Sequence, residues 1–278
     1  MLQKPNRRHC PSGPVTVEQL EETLPSAAAA VHEIIRREGE KEMRRDGLAL
    51  LWSAFAAGLT LSTSFIAKGL LQAALPAGAA FSLVIAMGYS IGFILVVTAR
   101  QQLFTENTIT PILPLMTKPS LSRLRLVLRL WGIVLAGNLA GGALAAFIFV
   151  RLPVFSPEVL TQFSAIGRHM MRNTPWEMFT KGILSGWLIA TMVWVLAGIN
   201  YAKILMIFLI TYLISAGGFT HTIVGSVEAF FLLFKGESDV ASAVFRFGIP
   251  TLLGNIVGGT CIFALISHAQ IRSDMADS

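Results

Sequence analysis

The chain has 278 residues, of which 54% are apolar and only 14% charged, against a charged share of about a quarter in soluble domains. That excludes a typical soluble domain and gives an all-α polytopic membrane protein. The formal net charge of +6 is concentrated near segment ends, a placement that argues for a membrane topology signal and against a nucleic-acid partner. Two cysteines, Cys10 and Cys261, make neither a disulfide framework nor a metal site.

Residues 1–46 contain eight Lys or Arg and no short apolar core followed by a cleavage site, so a cleaved signal peptide is not expected. Thr16 and Gln19 have capping-box spacing, and TVEQLEETLPSAAAAVHEIIRREGEKEMRRDG reads as a polar, partly amphipathic helix, interrupted near Pro25, at the cytoplasmic membrane surface. A membrane helix needs roughly 20 mainly apolar residues. Six segments qualify, at 47–66, 79–98, 130–150, 182–199, 204–234 and 243–267. The fifth is too long for one simple span, so it has to tilt or break. The expected organisation is a cytoplasmic N-terminal segment (1–46), a six-helix domain (47–270) and a cytoplasmic tail (271–278).

Basic residues crowd the N-terminus and KPSLSRLRLVLR (118–129), with Lys203 and Arg272 on the same side. This is the positive-inside pattern, with both termini cytoplasmic. Arg168 and Arg172 lie in the long loop between spans three and four, on the opposite side. They either draw anions to an outer vestibule or are ordinary solvated loop arginines.

The chain also repeats itself. GNLAGG at 137–142 returns as GNIVGG at 254–259, 117 residues later, and Phe104-Thr105-Glu106 stands opposite Phe219-Thr220-His221, 115 residues later. A three-helix unit is therefore duplicated, and because three is odd the second copy enters the membrane upside down, giving two inverted repeats. Each copy contains an interruption, TARQQLFTENTITP (98–111) and SAGGFTHTIVGS (215–226). Gly217 and Gly218 allow positive φ or close backbone approach, and Pro111 and Pro114 limit helix continuation. Non-helical backbone at membrane depth lines a cavity instead of facing lipid, so these breaks are expected to present polar groups to a solute. Gly137, Gly141 and Gly142, with Gly254, Gly258 and Gly259, let helices approach closely, while Asn138 and Asn255 bond across the contact or cap a broken neighbour.

The six spans, the LFT-containing break, GILSGWLIATMVWVL (182–196) in the fourth span and GFTH in the fifth together resemble the formate/nitrite transporter family, over about residues 20–270. The resemblance implies an aquaporin-like protomer with broken second and fifth helices, a homopentamer, and one solute pathway per protomer. It also implies small monovalent anions such as formate, nitrite, hydrosulfide or lactate, carried in some members with a proton. By position, Thr105 matches the mobile-loop threonine and His221 the central pore histidine, next to Thr220. Leu103, Phe104 and Phe93 fall at a cytoplasmic constriction and Tyr89 at an outer one, and Ile214 takes a place that is aromatic in some relatives. Gln102 replaces the usual acid before LFT, Glu106 adds a carboxylate after Thr105, and Gly186 sits where many relatives have a pore asparagine. Met170 falls near the vestibule lysine of relatives, with His169 and Arg172 close by.

A bare anion crossing two apolar constrictions loses its hydration, which costs many kcal/mol unless the pore supplies a proton or donors. His221 has a donor in either protonation state, and imidazole ordinarily titrates at about pH 6.5. Either it protonates the anion or it only offers a hydrogen bond to a neutral acid. The expected function is a channel or proton-linked transporter for small monovalent weak-acid anions, or their conjugate acids, in the bilayer of a bacterial inner membrane. Two alternatives remain, a neutral-solute pore of aquaporin type and, further off, a membrane sensor. No HExxH, nucleotide loop or cysteine cluster suggests an enzyme, and no cofactor or metal is expected.

Overall fold

The computed structural model describes residues 16–21, 24 and 26–276, and every regular element among them is helical. Helix α1 (Val17–Glu21) opens on the capping box, Thr16 N donating to Gln19 Oε1 and Gln19 N to Thr16 Oγ1. Helix α2 (Ala27–Met43) begins at Ser26, whose side chain accepts from Ala29 N. The expected interruption falls between these two helices; Pro25, like Cys10, lies outside the described residues.

Four long helices follow: α3 (Gly47–Ala74), α4 (Ala79–Thr98), α6 (Leu121–Arg151) and α8 (Pro175–Gly198), with a 3-10 turn (Glu106–Thr108) and the short α5 (Ile112–Thr117) between α4 and α6. Asp46, Ser120 and Thr174 cap α3, α6 and α8 through their side chains, satisfying N–H groups at helix starts. The last run joins a wide-turned π segment (Ser242–Gly248), α11 (Ile249–Ile256), a second π segment (Val257–Ala264) and α12 (Leu265–Ala276). Among the described residues five stretches are long and apolar enough to cross a membrane: α3, α4, α6, α8 and Ser242–Ser273.

The segment expected as a fifth span, 204–234, is two helices of 14 residues, α9 (Lys203–Ala216) and α10 (Thr222–Lys235). It breaks, as its length required. The two glycines of the break do different jobs. Gly218 takes a left-handed φ of +63°; Gly217 stays right-handed but leaves room for the Phe219 ring, which a Cβ would meet at 2.7 Å. The segment between α6 and α8, read as a long loop, is instead helix α7 (Pro157–Met171). It packs against α3 and α10 through a cluster in which Phe163 stacks on Phe65 at 4.5 Å and meets Phe231 edge-on at 5.5 Å.

Glycines set the closest helix contacts. A Cβ on Gly137 would strike Ala54 Cβ and press on Leu51 O, one on Gly141 or Gly58 would strike Phe55 or Asn138 backbone, and one on Gly254, Gly258 or Gly186 would strike Phe179, Ile183 or Asn255 backbone. The same contacts therefore occur twice, between α3 and α6 and between α8 and the last run. Positions on the first helix of each pair recur 128 residues later (51 to 179, 55 to 183, 58 to 186), and those on the second recur 117 later (137 to 254, 141 to 258). Gly186, expected on a solute pathway, belongs to this ladder: its missing side chain faces Asn255 backbone, because a larger residue would force α8 and α11 apart.

At one end of the bundle, α2 lies against the loop that follows α4. A Cβ on Gly39 would meet Thr110 O, Glu40 pairs with Arg123 of α6 at 3.2 Å, and Glu42 accepts from Gln102 Nε2 at 2.8 Å. The other end carries α7.

Candidate functional site

Each helix break is held by one buried asparagine. In the first, Asn138 Oδ1 accepts from Phe104 N at 2.9 Å, while its Nδ2 donates to Gln102 O and Ala54 O, both at 2.8 Å. In the second, Asn255 Oδ1 accepts from Thr222 N at 2.9 Å, while its Nδ2 donates to Thr220 O at 3.2 Å and Gly182 O at 2.9 Å. Each amide grips one carbonyl and the N–H two residues on, supplying partners to backbone groups that a helix would otherwise pair. Both roles open to these asparagines are observed, since each caps a broken neighbour and also bonds across the helix contact, to Ala54 O or Gly182 O.

The bracketed residues are Leu103 in the first break and His221 in the second, 118 residues apart. This corrects the sequence alignment of Phe104-Thr105 with Phe219-Thr220 by three positions. The shared FT dipeptide is not what the backbone repeats.

His221, 2% exposed, stands at the start of α10, where its Nδ1 accepts from Val224 N at 3.4 Å. An acceptor Nδ1 places the proton of the neutral ring on Nε2, which lies 2.7 Å from Thr105 Oγ1. Phe93 meets the imidazole edge-on, ring centres 5.1 Å apart, and Tyr89 lies next along α4, 5.1 Å from Phe93. Leu103, Phe104 and Ile214 are fully buried, with Phe104 edge-on to Trp131. Glu106 Oε1 is buried without a hydrogen-bond partner. The first break is completed from far along the chain, since Thr260 Oγ1 donates to Thr108 O at 2.6 Å across 152 residues.

A cavity of about 740 Å³ occupies the α7 end and reaches down to His221. Of the expected residues, Tyr89, Thr220, His221, His169 and Arg172 line it, as does Met170. Thr105 and Phe93 touch His221 but line no part of the cavity, and neither do Leu103, Phe104, Glu106 or Gly186. The buried apolar residues among them, Phe93, Leu103 and Phe104, thus lie outside the cavity wall. Arg168 is also absent from the wall; its side chain, more than half exposed, pairs with Glu237 at 2.9 Å. Of the two roles open to this arginine, the solvated one fits its position.

The model of the formate/nitrite transporter family matches residues 29–269, which takes in both breaks, both asparagines and the cavity wall. The chain belongs to the formate/nitrite transporter family. The inner membrane protein YfdC of Escherichia coli is 52% identical over 261 residues, 94% of this chain and 84% of its own. Two solved structures share the fold: a pentameric formate channel with formate bound (TM-score 0.69, 21% identity, covering 82% of this chain and 98% of its own) and an FNT family ion channel (TM-score 0.75, 19% identity, covering 86% and 98%).

In this family member the ionisable cavity residues Lys68, Lys181 and Glu228 escaped the sequence reading. Lys68 of α3 and Glu228 of α10 both line the cavity, with Lys68 Nζ 3.9 Å from Glu228 Oε1 and 5.7 Å from the centre of the Tyr89 ring. The signal was available: an ionisable residue inside an apolar span is costly and marks a working site by default. Lys68 falls two residues beyond the assigned end of the first span, at 66. Glu228 lies inside the fifth, where the break drew attention away from it.

Proposed function

We propose that the protein is a channel or proton-linked transporter for small monovalent weak-acid anions of the formate and nitrite type. In this reading the solute passes from the cavity past His221, then between Thr105, Phe93, Leu103 and Phe104. The observation that carries it is the meeting of the two helix breaks at Thr105 and His221, on the floor of a cavity whose wall includes Lys68, Arg172 and Lys181. Cationic walls concentrate anions; the buried apolar residues beyond the histidine then stop any ion that keeps its charge, because desolvating it there costs many kcal/mol. Only the conjugate acid, or an anion given a proton in the cavity, goes on. A neutral imidazole with its proton on Nε2 offers that acid a hydrogen bond in exchange for the one to Thr105.

The finer architecture belongs to the same proposal. The doubled glycine contacts and the paired asparagine brackets support two inverted three-helix repeats, an aquaporin-like protomer with six membrane crossings of which the second and fifth are broken. We further infer a homopentamer in a bacterial inner membrane with both termini cytoplasmic, so that the cavity faces outward. The location is suggested by the inner-membrane relative and the assembly by the pentameric fold neighbour. Transport of this kind uses no cofactor. The buried ring of apolar residues below His221 weighs against a neutral-solute pore, whose constrictions have to be wetter.

The test is flux through the purified protein in liposomes, with formate, nitrite, hydrosulfide and lactate set against glycerol and urea. Weak-acid flux that rises with an inward proton gradient is expected. Glycerol or urea flux without weak-acid flux would overturn the proposal.

A further inference from the structure

Lys68, Tyr89 and Glu228 come from three helices, α3, α4 and α10, and face one cavity. The pathway proposed above gives Lys68 only a share in the cationic wall and leaves Tyr89 and Glu228 without a task. All three groups are short of partners. The Lys68 ammonium meets Glu228 only at 3.9 Å, beyond hydrogen-bond length, and otherwise sits over the Tyr89 ring. Tyr89 is 4% exposed, and its Oη is buried with no hydrogen-bond partner. The Glu228 carboxylate, with a side chain 6% exposed, has no partner but the distant ammonium.

An anion placed among them accepts from Nζ and from Oη, which answers two of the deficits. It also puts two negative charges against one ammonium in a cleft of low dielectric, where a net charge is expensive. A proton on Glu228 removes the excess and turns the carboxyl into a donor. The other ionisable groups on the cavity wall are His169 and Arg172 at the end of α7, Lys181 of α8, and His221 on the same helix as Glu228. None of them lies in ion-pair contact with Glu228.

We propose that Lys68, Tyr89 and Glu228 form a seat that binds one small oxyanion together with one proton, the proton going to Glu228 from the water of the cavity. The inference rests on the weak-acid reading above and adds to it the place where proton and anion first meet, one level above His221. Linkage makes the effect reciprocal: the factor by which the proton tightens the anion is the factor by which the anion tightens the proton.

Titration calorimetry with formate on the full-length protein in detergent, in two buffers of different ionisation enthalpy near pH 7, reads the protons taken up per anion bound. About one proton or a large fraction of one is expected in the unaltered protein. In Glu228→Gln formate still binds, and uptake vanishes. Tyr89→Phe, which removes only an unpartnered oxygen and leaves the fold intact, weakens formate by about three- to tenfold; Lys68→Met weakens it about tenfold or more. Formate binding without proton uptake, uptake undiminished in Glu228→Gln, or unchanged affinity in Tyr89→Phe would overturn the seat while weak-acid flux in liposomes stood. Loss of the weak-acid reading itself would show differently, as no flux and no binding heat for formate, nitrite or lactate in the unaltered protein, and the seat would fall with it.

Discussion

Thr105 Oγ1 and His221 Nε2 lie 2.7 Å apart, so one hydrogen bond joins the two breaks in the bundle. Neither residue has another side-chain partner at that point, and His221 Nδ1 is already turned to Val224 N. A solute passing between the breaks has to replace this bond with its own. Thr105→Val keeps the shape and removes the hydroxyl, leaving Nε2–H unpartnered at a cost of about 1–3 kcal/mol. Formate flux in liposomes is expected to fall about tenfold, with the oligomer intact on size exclusion and Thr105→Ser close to the unaltered protein. Unchanged flux in the valine variant would remove the bond from the pathway.

His221 holds two posts, and substitutions separate them. Asn keeps an acceptor at the start of α10 and loses the titrating ring; Phe loses both. His221→Asn is therefore expected to fold with stability within about 1 kcal/mol and to carry weak acids with a weaker pH dependence between pH 5 and 7.5, the window about histidine's ordinary pKa, what is left being the part that Glu228 supplies. His221→Phe loses flux. The readouts are melting temperature in detergent and flux corrected for the solute's own protonation. A pH profile in the Asn variant identical to the unaltered protein's would assign the dependence elsewhere.

The asparagine brackets predict a loss of a different kind. Asn138 and Asn255 are fully buried; Asn138→Leu leaves Phe104 N–H and Gln102 O without these partners, and Asn255→Leu does the same to Thr222 N–H and the Thr222 hydroxyl, while Thr220 O keeps Ser185 Oγ. Two unpaired buried groups at about 1–3 kcal/mol each take a large share of an ordinary stability margin. Both variants are expected to yield little folded oligomer by fluorescence-detected size exclusion. A normal melting temperature in either would show that the break is held by other contacts.

Acid is expected to loosen α2. His32, 6% exposed, has Nε2 3.2 Å from His268 Nδ1, and its pKa is lowered to about 4, first by burial and then by His268. With the folded value below the unfolded one near 6.5, the stability is fully present above about pH 6.5 and is lost progressively as pH falls towards 4, by about 2 kcal/mol at pH 5. Hydrogen exchange over 27–43 should therefore speed up from pH 7.5 to 5 after correction for intrinsic rates, and His32→Gln should flatten the difference. Equal protection at both pH values would contradict this sign.

What the sequence disclosed and what it hid follow from which atoms carry each contact. Apolar runs and the glycine-asparagine motif are side-chain patterns, so α3, α4, α6, α8 and the two breaks were legible, as was the division of 204–234. The recurrence of Leu51 as Phe179 and Phe55 as Ile183 was not, since in those positions it is the backbone that touches glycine and the side chain is free to differ. For the same reason the FT dipeptide misaligned the breaks by three positions. Helix α7 is short and partly polar, with Pro157 at its start, and so reads as a loop. Gly186 was assigned to the pathway by position alone, whereas its neighbour is the Asn255 backbone. The pair Lys68–Glu228 spans residues 160 apart (68 to 228), and nothing local marks that separation.

The hydrogen bond from Thr260 to Thr108 O, with Gly259 leaving room for the Thr108 side chain, bears on how the protein is made. The ribosome finishes residues 102–110 early, and α6 then supplies Asn138 and Trp131 to Gln102, Phe104 and Asn107, but the Thr260 contact comes 152 residues after Thr108. Until then the newborn first half sits in the bilayer with its loop held from one side only. Two fragments severed between α6 and α7 should accordingly be degraded when produced alone and survive when produced together.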